Sequence, residues 1–317
     1  MIKKPKALKQ GDTIALVAPA RPASPDELTI ITKALQQQNF KVKLSHNLTH
    51  RHGYLAGKDS DRAAGIMEAW CDPSVNMVWC IGGGYGSSRL LELLDFKKMR
   101  EHPKIFVGMS DVTALHCALS KELQIITYLG PMPQKLFCSS GEEQALRFAE
   151  NHLWQTLKGN RHLPSSPHAF QIAPYTIQQG IAQGKLVGGN LALICSLIGT
   201  PWQLDTKDKI LLLEDINEEP YKVDRMLRQL KYCGLLSSPA GVILATWEKC
   251  STKQSTLSLE QIFNDYFLDS PYPVFAGYPS GHIDGQLTLP LNALVEINAS
   301  EKQLILLESP VNYPIPN

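Results

Sequence analysis

Long apolar runs, paired cysteines and net charge are what this sequence lacks. Its 317 residues carry 31 basic and 30 acidic side chains, a formal net charge of +1. With no basic stripe and no polybasic run, it shows no electrostatic footprint for a nucleic-acid or membrane-surface partner. The seven cysteines stand singly at positions 71, 80, 117, 138, 195, 233 and 250. No CxxC and no neighbouring Cys/His pair at zinc spacing occurs, which argues against a metal or redox motif. An odd, dispersed set of this kind reads as buried thiols in a reducing cytoplasm. The lysines at 3, 4, 6 and 9 are followed only by the apolar run Ile14 to Ala20, with Gly11 and Asp12 between. That run is too short and too broken for a signal-peptide core or a membrane span.

Of what is present, 44% is hydrophobic and 19% charged, a globular composition with a sizeable core. At this length two domains are expected, since one usually takes ~100–200 residues. In the first half short apolar runs alternate with helical spacing. "DTIALVAPA" precedes a helix over Glu27 to Gln38, and "KVKLS" precedes one over Asp59 to Trp70. "VNMVWCIGGG" leads into a helix from Ser87 to about Leu94, and "KIFVG" into one from about Asp111 to Ser120, with a further strand around "IITYLGP". Such alternation predicts an open parallel sheet covered on both faces, with ligands outside the carboxyl ends of its strands.

Glu142 to Leu157 reads as one more helix, and "KGNRHLPSSPHAFQIAPYT" as a linker rich in Pro, Ser and polar residues. The predicted organisation is an N-terminal α/β domain over 1–160, a linker over 161–180 and a β-rich domain over 181–317. The last carries apolar runs in "GKLVGGNLALICSLIGTPW", "DKILLLEDI", "AGVILATW" and "PVFAGYP". Helices over Val223 to Tyr232 and around Leu259 to Leu268, and two closing strands near "QLTLPLNALVEI" and "KQLILLE", complete it.

Loops that follow strands are where chemistry is expected. Ser110 follows "KIFVG" and precedes a helix, a corner that lifts a side chain clear of the sheet and sets the next NH groups at the positive helix end. That suits a nucleophile. Serine at this position is also a common helix N-cap, and Gly-x-Ser-x lacks the second glycine of the usual elbow, so both readings stand. "CIGGGYGSSRLLELLD" ends a strand in consecutive glycines at the same sheet edge. Its amides suit a phosphate cradle, an oxyanion hole shared with the NH of Asp111, or simply a tight turn. The dinucleotide spacing is poor, with Arg89 where a third small residue belongs, and there is no GxxxxGK[ST].

A serine nucleophile needs a base and a group to orient it. His116 lies six residues beyond Ser110, about 240° round the helix, and cannot face it. His46, His50 and His52 crowd a polar loop, while His152, His162 and His168 fall near the linker. His282, in "AGYPSGHIDG", follows a short β run between two glycines and can enter a cleft, or be an ordinary loop histidine. For the acid, "KILLLEDINEEP" sets Glu214 and Asp215 at the end of a buried strand on opposite faces. Spacing alone does not choose between them.

These stretches together carry a resemblance. "AGKDSDRAAGI", "GGYGSSRLLELLD", "PKIFVGMSDVTALH", "GKLVGGNLALICSLIGTP", "ILLLEDINEEPYKVDRML" and "GHIDGQLTLPL" stand in the order of the LD-carboxypeptidase family of serine peptidases, which the chain resembles over nearly its whole length. That family includes muramoyltetrapeptide carboxypeptidases of murein recycling and microcin C immunity peptidases. The resemblance implies a Rossmann-like N-terminal sheet domain with a β-rich, barrel-like C-terminal domain. It implies Ser110 as nucleophile, Glu214 as triad acid and His282 as base, with Asp111 and Gly83 or Gly84 supplying oxyanion NH groups.

It further implies hydrolysis of an L,D-peptide bond that releases a C-terminal D-amino acid from murein peptide, without metal or organic cofactor, by a cytoplasmic homodimer. A free carboxylate must then be recognised, for which Arg89 or an unpaired helix N-terminus near the glycine loop is a candidate, with Tyr85 of that loop as a second substrate contact; Arg89 reads equally as the ion-pair partner of an acid. Four positions depart from the family pattern. Gly82 replaces an arginine, Leu129 a histidine, and Gln286 and Asn292 a frequent Asn and Gly. None is a triad member, so they bear on substrate contacts. Two rival functions are an immunity-type peptidase acting on aminoacyl nucleotides, with Trp202 or Trp247 stacking on a base, and a non-catalytic nucleotide-binding module.

Overall fold

A computed structural model describes residues 2–164, 173–251 and 256–313, and its strands form two sheets. The first half runs β1 (Thr13–Val17), α1 (Pro25–Gln37), β2 (Lys41–Leu44), α2 (Asp59–Cys71), β3 (Met77–Cys80), α3 (Phe96–Glu101), β4 (Ile105–Gly108), α4 (Thr113–Leu123), β5 (Thr127–Leu129), α5 (Pro133–Cys138) and α6 (Glu143–Leu157). Every residue of β1, β3 and β4 is buried. Strands covered by helices on both faces must be apolar throughout, so they read as unbroken runs. α1 starts where the sequence supplies a capping box: Ser24 Oγ accepts from Glu27 NH at 3.2 Å, and the Glu27 carboxylate accepts from Ser24 NH at 2.7 Å.

These strands pair in parallel in the order β5-β4-β3-β1-β2. The order reverses between β1 and β3, and a crevice opens outside the carboxyl ends of strands at such a point. Arg21, just past the end of β1, and the glycine loop after β3 lie there, with Arg21 NH donating to Gly83 O at 3.4 Å. The segment predicted as a helix from Ser87 is a 3₁₀ helix, Ser87–Leu93. The six-residue helices α3 and α5 went unpredicted because so short a segment shows no apolar period.

The second half runs β6 (Tyr175–Gln178), β7 (Ile181–Asn190), α7 (Leu191–Ser196), β8 (Lys209–Ile216), α8 (Pro220–Tyr232), β9 (Gly241–Glu248), α9 (Leu259–Phe267), β10 (Val274–Ala276), β11 (Leu289–Leu291), β12 (Leu294–Asn298) and β13 (Gln303–Leu306). The second sheet has the order β13-β12-β7-β8-β9-β10-β6. Only Gln179 and Gly180 join β6 to β7, yet the two strands stand four places apart. At ~4.8 Å per strand a flat sheet would separate them by ~19 Å, and the connection reaches at most ~11 Å. The sheet therefore curls on itself, and Thr176 Oγ1 donating to Ala299 O at 2.6 Å helps to draw the ends together. This is the expected α/β class: a parallel sheet followed by a barrel-like, β-rich part.

β6 lies inside the stretch read as a linker, of which residues 165–172, with His168, fall outside the described residues. The closing strands number three rather than two, and the first of them, β11, pairs antiparallel with β5 at the edge of the first sheet. An edge is where Pro290 is tolerated. Asn292 then turns the chain back to the second sheet with φ of 70°. Glycine adopts that left-handed conformation freely and asparagine tolerates it, so the Gly-to-Asn departure keeps the turn. Two apolar cores each run from one sheet into the other. All seven cysteines are free, Cys80, Cys117 and Cys250 buried and the rest only half-buried. Among the described residues no helix is long and apolar enough to cross a membrane.

Candidate active site

Ser110 stands two residues past the end of β4 with φ of 60°. A left-handed L-residue costs ~1–2 kcal/mol, and a helix N-cap needs no such strain, since it sits in the extended region. The caps of the 3₁₀ helix Ser110–Val112 and of α4 are Met109 and Val112, neither with a side-chain cap bond. Ser110 is thus not the cap, and its strained corner faces the glycine loop. A Cβ placed on Gly83 would lie 3.2 Å from Ser110 Cβ and 3.3 Å from its Oγ. Beneath the corner, the His116 ring bridges Gly108 O at 2.9 Å and Thr127 Oγ1 at 2.8 Å. Burial pushes its pKa down to about 4, so it braces the strand end as a neutral ring that donates to the Gly108 carbonyl.

Asp111 ties the two loops together. Its carboxylate accepts from Gly86 NH at 3.1 Å and Ser87 NH at 2.8 Å, and its carbonyl accepts from the Ser87 hydroxyl. Arg62, fully buried, donates to Pro19 O, to Gly86 O at 2.8 Å and to Asp59. Gly86 and Ser87 therefore spend their amides on Asp111. Those of Gly83 and Gly84 have no acceptor among the described residues.

From the second sheet, Glu214 at the end of β8 is completely buried and its Oε2 lies 2.7 Å from His282 Nδ1. His282 sits on the loop between β10 and β11, anchored in the second sheet before it and in the first sheet after it. Its side chain is only 15% exposed. Burial opposes a charge on the ring, but the hydrogen bond and charge of Glu214 outweigh it and hold the His282 pKa above its ordinary value. Gly281 permits the approach: with φ of 131°, any side chain there would strike Thr246 and come 2.9 Å from Glu214 Oε2.

Asp215 faces the other way. It accepts from Asn190 Nδ2 at 2.9 Å, Ala192 NH at 3.0 Å and its neighbour Ile216 NH at 2.8 Å, and burial raises its pKa to about 6. It fastens the start of α7, and of the two acids only Glu214 is hydrogen-bonded to His282 among the described residues. Asn190 NH also bonds Thr113 Oγ1 at 3.1 Å, linking β7 to the helix behind Ser110.

Arg89 is held by Asp59, its Nε at 3.1 and 2.9 Å from the two carboxylate oxygens and Nη2 at 2.8 Å. The ion-pair reading is the one the geometry supplies. Tyr85 is half exposed and packs edge-on against Tyr54 with ring centroids 5.9 Å apart. At the departure positions, Gly82 leaves room that Gln134 and the Arg21 side chain occupy, and Leu129 is buried where β5 meets β11. Gln286 is buried, with both amide atoms unpartnered among the described residues.

Sequence reading missed α5. Met132, its N-cap, reaches within 3.3 Å of the same Gly83 position that Ser110 touches. Lys135, one turn on, pairs with Asp284 of the histidine loop. "GHIDG" displays Asp284, but its partner lies far away in sequence and no local signal connects them. Among the described residues no cluster of three His, Cys, Asp or Glu side chains could hold a metal.

Family models for the LD-carboxypeptidase N-terminal domain and the LD-carboxypeptidase C-terminal domain match residues 14–130 and 183–297. The chain is 37% identical over 306 residues to a probable murein peptide carboxypeptidase of Bacillus subtilis, covering 96% of this chain and 94% of the relative. Its fold matches the crystal structure of a muramoyltetrapeptide carboxypeptidase from Oxalobacter formigenes with a TM-score of 0.79 at 29% identity, covering 96% and 100% of the two chains. It also matches the microcin C7 self-immunity protein MccF in complex with glutamyl sulfamoyl guanosine, with a TM-score of 0.89 at 22% identity over 98% and 99% of the chains.

Proposed function

The chain belongs to the LD-carboxypeptidase family of serine-type hydrolases, and from that premise we propose that it cleaves the L,D-peptide bond of murein tetrapeptide and releases D-alanine, in cytoplasmic cell-wall recycling. The observation that carries this reading is the buried Glu214 bonded to His282, on a loop strung between the sheet of Ser110 and that of Glu214. With Nδ1–H given to Glu214, Nε2 is free to take the Ser110 proton. Ser110 Oγ attacks the carbonyl of the residue before D-alanine, and the oxyanion is received by the amides of Asp111 and Gly83 or Gly84. His282 returns the proton to the leaving amine, and water then releases the acyl group. The test is mass spectrometry of murein tetrapeptide incubated with pure protein. Tripeptide and free D-alanine are expected; intact tetrapeptide would overturn the assignment.

The pH profile checks the acid–base roles. His282 must be neutral to act as base, so kcat/KM rises with pH through its pKa, which Glu214 holds above the ordinary ~6.5. In Glu214→Gln the charge that favours the imidazolium is lost while the burial that disfavours it remains. The acid limb is then expected below ~6.5, with a strongly reduced plateau rate. Asp215→Asn leaves the His282 partner in place and is expected to lose much less. Equal losses from the two substitutions would remove the basis for assigning Glu214.

The likeness to MccF, whose complex holds an aminoacyl nucleotide analogue, supports a second reading on aminoacyl nucleotides. Trp247 stands in register with Asp215, but its ring packs on Phe263 with centroids 5.1 Å apart, as a core residue does. Offering glutamyl sulfamoyl guanosine beside the tetrapeptide separates the two readings by which of them is consumed.

A further inference from the structure

A carboxypeptidase must hold a free carboxylate close to the chemistry. The carboxylate sits on the Cα that bears the leaving nitrogen, so its oxygens lie within about 4 Å of the atom His282 protonates. The receiving cation must therefore stand within reach of both Ser110 and His282. Arg62 is buried and spent on two carbonyls and Asp59. Arg89 is engaged by Asp59 beyond the glycine loop. Arg21 runs along Gly84 to Gly82, and its charge acts on Glu27.

Lys135 is different. Its ammonium pairs with Asp284, two residues past His282, and its side chain is 35% exposed. Its helix cap, Met132, borders the space shared by Gly83 and Ser110, so α5 spans from the serine corner to the histidine loop. Asp284 is itself fixed: its carboxylate accepts from Glu142 NH at 2.8 Å, and Gly141 leaves it room, a Cβ there falling 2.5 Å from Oδ2. An ammonium has three donors. One reaches Asp284, and two remain to be offered. The charge of Lys135 is also among those that His282 feels.

We propose that Lys135 receives the terminal carboxylate of the substrate, with Asp284 as its positioning residue; this rests on the carboxypeptidase reading above. The test compares kcat/KM for murein tetrapeptide ending in free D-alanine with that for the same peptide ending in D-alanine amide. Wild-type protein is expected to prefer the acid by about 10–100-fold, the weight of one or so hydrogen bonds to a charged group. In Lys135→Met and Lys135→Gln the ratio should collapse toward unity, and in Lys135→Arg most of it should survive. Cleavage of the amide reports that the site is assembled in each variant. Full acid preference in a variant without the cation overturns the assignment, and so does loss of amide cleavage in both, which would make Lys135 a structural residue. Failure of wild-type protein to release D-alanine at all would instead overturn the carboxypeptidase reading.

Discussion

Ser110→Ala is expected to fold normally and to lose about 10⁴-fold or more of kcat, the usual cost of removing a member of a catalytic triad. The fold should survive because the Ser110 hydroxyl has no hydrogen-bond partner among the described residues, and the turn is held by its neighbours. Asp111 keeps its grip on Gly86 and Ser87, and His116 still supports Gly108. Alanine and serine both bear the cost of the left-handed backbone, so the substitution should move stability by no more than ~1 kcal/mol and the melting temperature by only a few degrees. The measurement is steady-state release of D-alanine beside a thermal melt. A variant that keeps more than about a hundredth of the wild-type kcat would show that Ser110 is not the nucleophile, because the oxyanion amides alone cannot sustain that rate.

The second large effect is stereochemical. Two matched tetrapeptides, one ending in D-Ala and one in L-Ala after the same diamino acid, are expected to differ by ~10³-fold or more in kcat/KM, in favour of the D-ending peptide. A nucleophile at a rigid corner and an oxyanion site made of backbone amides fix one approach to the scissile carbonyl. Inverting the leaving residue then exchanges the places of its carboxylate and methyl group. The carboxylate is swung away from the Lys135 ammonium and buried without a partner, which costs several kcal/mol. Comparable rates on the two peptides, or a preference for the L-ending one, would sink the LD-carboxypeptidase reading even with Ser110 confirmed.

How much of this was legible in the sequence depended on the range of the interaction that decides each feature. β1, β3 and β4 were visible because strands buried on both faces are apolar at every position. The start of α1 was equally local in origin, its cap and first turn lying within four residues. Ser110, Glu214 and His282 each stood at a recognisable place: a corner, a strand end and a glycine-framed loop. The choices among their alternatives were not local. Whether Ser110 capped a helix turned on its φ, and which of Glu214 and Asp215 reaches His282 turned on how the strand end packs. Alternation set the two acids on opposite faces without saying which face held the site. The pairing of Arg89 with Asp59, and of Lys135 with Asp284, joins segments whose approach only the packed sheets create.

The strand that follows His282 pairs residues 289–291 with residues 127–129. Contacts so distant along the chain form late, because a long loop must close before they give anything in return. A chain emerging from the ribosome, which folds from its N-terminal end, has Ser110 and the glycine loop in place long before Glu214 and His282 have been made. Its first half alone is a sheet with an unassisted serine. With the triad proposed above, peptide-cutting capacity should arrive with the last stitch of the fold, and regained activity should then report the closing of the whole molecule.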